Sequence, residues 1–112
     1  MLKALLCIST LCTLIYCILA CFKNKEESNA VTGLHFGLGM NIRNNWGLWD
    51  RKGYLYEYFE NMEIYHPDDI SSVILTSYHR MLNDKPIEIN KQAKHYQEYW
   101  EEVNNSQRKD HT

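Results

Sequence analysis

The chain has 112 residues, with 12 Lys plus Arg against 14 Asp plus Glu and a formal net charge of −2. That length allows one small domain. The charge argues against a nucleic-acid-coating protein, which would carry a basic excess gathered in a patch. A hydrophobic content of 45% excludes a disordered chain.

Met1-Leu2-Lys3 is a short basic start, and Ala4 to Ala20 is an uncharged, mostly apolar run. A basic start, an apolar run and a small residue at its end read as a secretion signal. Ile18-Leu19-Ala20-Cys21 resembles a bacterial lipobox, in which cleavage falls before a cysteine that then carries lipid. Ile18 and Ala20 fit that pattern, whereas Leu19 is an unusual occupant. The leading expectation is therefore a signal peptide or membrane anchor over residues 1–21 with lipidation at Cys21. An uncleaved membrane helix from about Leu2 to Phe22 is the main alternative, and ordinary cleavage is the third. Lys23 and Lys25 rival Lys3, so the positive-inside rule sets no orientation for the helix.

All four cysteines, Cys7, Cys12, Cys17 and Cys21, lie in this segment. The remainder has no disulfide, thiol ligand or thiol nucleophile. Residues 22–30 are polar and charged and read as a tether. A helical domain is expected over 31–103, and 104–112 reads as a flexible tail.

Inside the domain the helical period dominates. Leu34, Leu38, Ile42, Trp46 and Trp49 recur at helical steps, and Gly47 is placed to end that helix in the left-handed conformation. Leu55, Tyr58, Phe59 and Met62 suggest a short second helix, although Tyr54, Tyr56 and Tyr58 also alternate as a strand would. His66-Pro67-Asp68-Asp69 opens a third helix, with proline in its first turn and two carboxylates beside the positive end of the helix dipole. Its expected face is Ile70, Val73, Ile74, Ser77, Tyr78 and Met81. A fourth carries Ile89, Ala93, Tyr96, Trp100 and Val103. The expected fold is all-α, a small bundle of about four short helices behind the N-terminal hydrophobic helix.

Two segments carry a family resemblance: Leu34-His-Phe-Gly-Leu-Gly-Met-Asn-Ile-Arg-Asn-Asn-Trp-Gly-Leu-Trp49 and His66-Pro-Asp-Asp-Ile-Ser-Ser-Val-Ile-Leu75. Together they resemble a small bacterial domain family of unknown function, over about Leu34 to Trp100. The family pattern has an aromatic residue where this chain has Asn41. The resemblance implies a bacterial, single-domain protein and brings no activity, cofactor or catalytic residue.

Arg43-Asn44-Asn45-Trp46-Gly47-Leu48-Trp49 is the most suggestive segment for binding. Arginine and asparagine offer hydrogen bonds, and tryptophan offers a flat apolar face, a combination suited to glycan or peptide recognition. Filling the core is the commoner role of such tryptophans, so Arg43 and Asn44, off the apolar stripe, are the expected contact residues. With Asn45, Trp46, Trp49, Tyr54 and Tyr56 they form the candidate binding set. His35, His66 and Asp69 form an alternative acid–base set, provided that the fold brings them into one cleft. Plain capping of the third helix is the simpler use of His66 and Asp69. No metal site or cofactor is expected, and no hydrolase or phosphate-binding signature occurs.

These features favour a non-enzymatic, membrane-anchored binding module of the bacterial envelope. Its partner would be an envelope protein or a glycan, reached from the periplasmic or surface side. A small hydrolase or lyase and an immunity-type or structural accessory protein are the alternatives.

Overall fold

The computed structural model describes residues 2–110, with side chains from Thr13 onward. Most of the expected signal peptide or anchor, including Cys7 and Cys12, therefore lies outside the described side chains. Among the described residues no helix is long and apolar enough to cross a membrane.

The fold is an all-α bundle. Its helices are α1 (Leu2–Asn24), α2 (Glu27–Leu34), α3 (Met40–Asn45), α4 (Tyr54–Glu60), α5 (Pro67–Leu82) and α6 (Ile89–Asp110), with a π-helical turn at His35–Gly39 joining α2 to α3. No strand forms at Tyr54–Tyr58, because Tyr56 and Phe59 are one helical turn apart and both are buried. The molecule measures 71 × 29 × 23 Å, long for its size.

Helix α5 is central. It packs against α2, the π turn, α3, α6 and the end of α1. Ile70, Val73 and Leu75 join Ile42, Leu48, Tyr56, Phe59, Ile64 and Ala93 in one apolar core. Contact on several sides also buries Ser71 and His79, which lie off the expected face, while Met81 on that face is exposed.

The π turn explains why the expected stripe of the first helix fails. An i→i+5 turn adds one residue and shifts the phase of everything after it. Burial steps from Leu34 to Gly39 and on to Ile42 and Arg43, while Leu38 and Trp46 turn outward. Gly47 does adopt the left-handed conformation (φ 76°), two residues past the end of α3. The reversal sends Leu48 into the core, where it is fully buried.

Two expected boundaries differ. Residues 22–30, read as a tether, are docked on α5. Phe22 is buried, stacked on Tyr78 with ring centroids 5.9 Å apart and meeting His79 edge-on at 5.2 Å. The Lys25 carbonyl lies 2.9 Å from His79 Nε2, Asn83 Nδ2 donates to the Lys23 carbonyl at 3.0 Å, and Glu27 pairs with Arg80. A single aromatic among charged residues seats the segment, because α5 offers it the Tyr78 ring and the buried His79 imidazole, and the hydrogen bonds complete the fit. The tail differs as well: residues 104–110 continue α6, although apolar spacing stops at Val103. Arg108 and Lys109 in the last turn suit the negative end of the helix dipole. Residues 111 and 112 lie outside the described residues.

Candidate functional site

The two motif segments meet at the N-terminal end of α5, and Arg43 is the joint. Its side chain is only 4% exposed. Nε pairs with Asp68 Oδ1 at 3.1 Å, Nη1 donates to Ser71 Oγ at 3.0 Å, and Nη2 donates to the His35 carbonyl at 3.0 Å. His35 Nδ1 sits 3.5 Å from Nη1. One planar guanidinium thus ties the π turn to the first turn of α5, which a buried charge requires if it is to be tolerated. Gly39 lets it through: a Cβ there would lie 3.0 Å from Nη1 and 3.2 Å from the Leu34 carbonyl. The expected role of Arg43 as a surface contact is corrected by this burial. The phase shift of the π turn swings it inward from the position that straight helical spacing assigns.

His66 caps α5. It has the extended backbone that a following proline favours, and its Nδ1 accepts from the Asp68 amide at 3.2 Å. Its other face is aromatic. The ring stacks on Trp100 with centroids 5.7 Å apart and planes 17° from parallel, and Trp49 stands edge-on to it at 6.4 Å. Trp100 Nε1 donates to Asp69 Oδ2 at 2.7 Å, and Trp49 Nε1 donates to Asn44 Oδ1 at 2.9 Å. The result is a shelf of three rings, Trp49, His66 and Trp100, each held by a hydrogen bond at its polar edge.

A groove of about 840 Å³ opens beside this shelf, lined by His66 and Trp100 together with Arg51, Tyr65, Lys94 and Arg108. Two of its residues, Arg51 (φ 54°) and Glu63 (φ 60°), hold left-handed backbone without being glycine. Asp84 (φ 54°) and Glu88 (φ 52°), outside the groove, hold the same conformation, so backbone strain is not confined to this site. Tyr56, placed in the binding set by sequence, is buried instead, and its hydroxyl donates to the Tyr65 carbonyl at 3.3 Å behind the groove. Tyr54 is exposed on α4, and Asn45 is turned back to the Asn41 carbonyl. Trp46 and Trp49 are both about half exposed, at 52% and 53%, so neither fills the core.

His35, His66 and Asp69 surround the same helix end, yet no hydrogen bond joins them among the described residues. His35 faces Arg43, His66 Nδ1 serves the cap, and Asp69 accepts from Trp100. Burial pushes the Asp69 carboxyl above its ordinary range, while the Trp100 bond and nearby His66 pull it down. Burial likewise raises the Tyr96 phenol, and the Asp69 carboxylate adds to that shift. Among the described residues no group of three or more His, Cys, Asp or Glu side chains is placed to hold a metal ion. Cys21 is a free, exposed thiol.

Sequence reading missed Trp100 as part of the site because it sits on the apolar stripe of α6. The available signal was a large aromatic near the end of that stripe, followed directly by Glu101 and Glu102. No curated protein and no solved structure matches the chain. A family match does cover residues 13–82, from within α1 through α5, and with well over half its length matched the chain belongs to the family described as Domain of unknown function (DUF6794).

Proposed function

We propose that the chain is a membrane-anchored, non-enzymatic binding module of the bacterial cell envelope that takes a glycan strand on the Trp49–His66–Trp100 shelf. The observation that carries the reading is the shelf itself. Three rings at one helix end, two of them indoles pinned through Nε1, stand beside an open groove. Sugar rings stack on such faces while flanking polar groups bond their hydroxyls. Arg51, Lys94 and Arg108 supply donors along the groove, and Asn44 and Trp46 extend the surface beyond Trp49. Arg43 and Tyr56 position the shelf from behind without touching the ligand.

The anchor in this reading is the lipid on Cys21, behind a signal peptide whose pattern ends at that residue. The intact mass of the protein extracted from its host membranes tests it: residues 21–112 plus acyl chains supports lipidation, and the full-chain mass supports an uncleaved helix. Retention of the protein on isolated cell-wall glycan tests the shelf. Trp100→Ala and Trp49→Ala should each abolish retention while the far-ultraviolet circular dichroism of the variant stays native. Unchanged retention in both variants would remove the shelf from the function.

A further inference from the structure

We infer that the C-terminal end of α5, with Lys23, Lys25 and Lys85, is a docking face for the anionic headgroups of the bilayer that anchors the chain. The orientation that results turns the aromatic shelf away from the membrane. The inference rests on the membrane-anchored reading above and specifies which face of the domain meets the lipid.

Attachment at or before Cys21 places the bilayer on the N-terminal side of that residue. A flexible tether would then leave the domain free to tumble, but no slack is present. Phe22, the next residue, is buried between Tyr78 and His79 near the end of α5. Lys23 and Lys25 are held through their carbonyls by Asn83 and His79. The end of α5 is therefore the part of the domain that the anchor draws against the membrane.

That end carries the matching charge. Lys23, Lys25 and Lys85 line one groove of about 530 Å³ together with Glu26 and Glu27. Glu27 is neutralised by its pair with Arg80, and Glu26 is the one acidic side chain of the groove outside an ion pair. The backbones carrying the lysines are fixed while their side chains are exposed, the arrangement in which basic residues beside an anchor meet anionic headgroups. A protein partner would need apolar surface at the centre of its contact, and this groove is predominantly polar. The shelf lies at the other end of α5, a 16-residue helix, and so about 24 Å away along its axis at 1.5 Å per residue.

The test uses the native lysines of the full chain. The protein is reconstituted in vesicles of phosphatidylcholine alone or of phosphatidylcholine with phosphatidylglycerol, and both samples are labelled with an amine-reactive ester. Lys23, Lys25 and Lys85 should lose most of their labelling on the phosphatidylglycerol vesicles, at low salt and not at high salt. Lys52 and Lys94, exposed elsewhere on the domain, should label equally on both. Equal labelling of Lys85 on the two vesicle types overturns the docking face and leaves the anchor standing. A chain that fails to float with either vesicle overturns the anchor, and the docking face with it.

Discussion

The two ends of α5 are held by different sets of contacts. At the N-terminal end a buried guanidinium has three oxygen partners, from Asp68, Ser71 and His35. At the C-terminal end Phe22 packs on the Tyr78 and His79 rings, Asn83 and His79 bond the Lys23 and Lys25 carbonyls, and Arg80 pairs with Glu27, while His79 Nδ1 has no partner. A satisfied network fixes direction, because planar hydrogen bonds tolerate little rotation. Ring packing fixes position with more angular freedom. The end with the guanidinium network carries the aromatic shelf, and the end with the ring cluster receives the segment arriving from α1.

The strongest way to break this contrast is at Arg43. Arg43→Met leaves Ser71 Oγ and the His35 carbonyl without their donor while the Asp68 carboxylate, 42% exposed, stays solvated, and should lower unfolding stability in urea by about 2–4 kcal/mol. A loss below about 1 kcal/mol, the range of an exposed ion pair, would show that the clamp is decorative.

A smaller effect sharpens the same end. Gly39→Ala forces a methyl against Nη1 and the Leu34 carbonyl, and should cost about 1–3 kcal/mol. Gly37→Ala, two residues earlier, meets nothing within 4 Å and should gain up to about 1 kcal/mol from helix propensity. Opposite signs in thermal melts of the two variants would separate close packing from propensity; equal signs would leave the π turn without its special requirement at Gly39.

The smallest expected effect distinguishes the ends by acid. The Arg80 hydrogen bond holds the Glu27 carboxyl below its ordinary value of 4.5. Its contribution is thus complete above that value and is lost as pH falls through the lowered one. Asp69 behaves inversely: burial raises it above 3.8, so its charged form costs stability at neutral pH, a cost relieved as pH falls through the raised value. Acid should therefore loosen residues 22–30 before the start of α5, seen as faster amide exchange, and Glu27→Gln should remove most of that pH dependence. Glu27 is partly exposed, so the effect is worth about 1 kcal/mol or less.

Much of this architecture is legible in residue spacing. His66-Pro67-Asp68-Asp69 states the start of α5 and Gly47 states the end of α3, since each encodes local backbone chemistry. The interior role of Arg43 is not legible, because a single π turn rephases the helix and no local residue type announces one. Nor is the docking of Phe22, whose partners Tyr78 and His79 are far along the chain. The site is half legible for the same reason. His66 and Trp49 lie in the motif segments, whereas the third ring comes from a helix whose spacing reads as core.

Trp100 also lies beyond residues 13–82, where the family match ends. The clamp is built wholly from within that span, and one wall of the shelf from outside it. The molecule is thus divided like a tool handle and its bit. Substitutions along α6 can redraw the shape and charge of the groove while Arg43 keeps the helix that bears His66 in place. On the proposed reading, ligand selectivity is adjustable through this one helix, and an engineer seeking a new ligand would begin there.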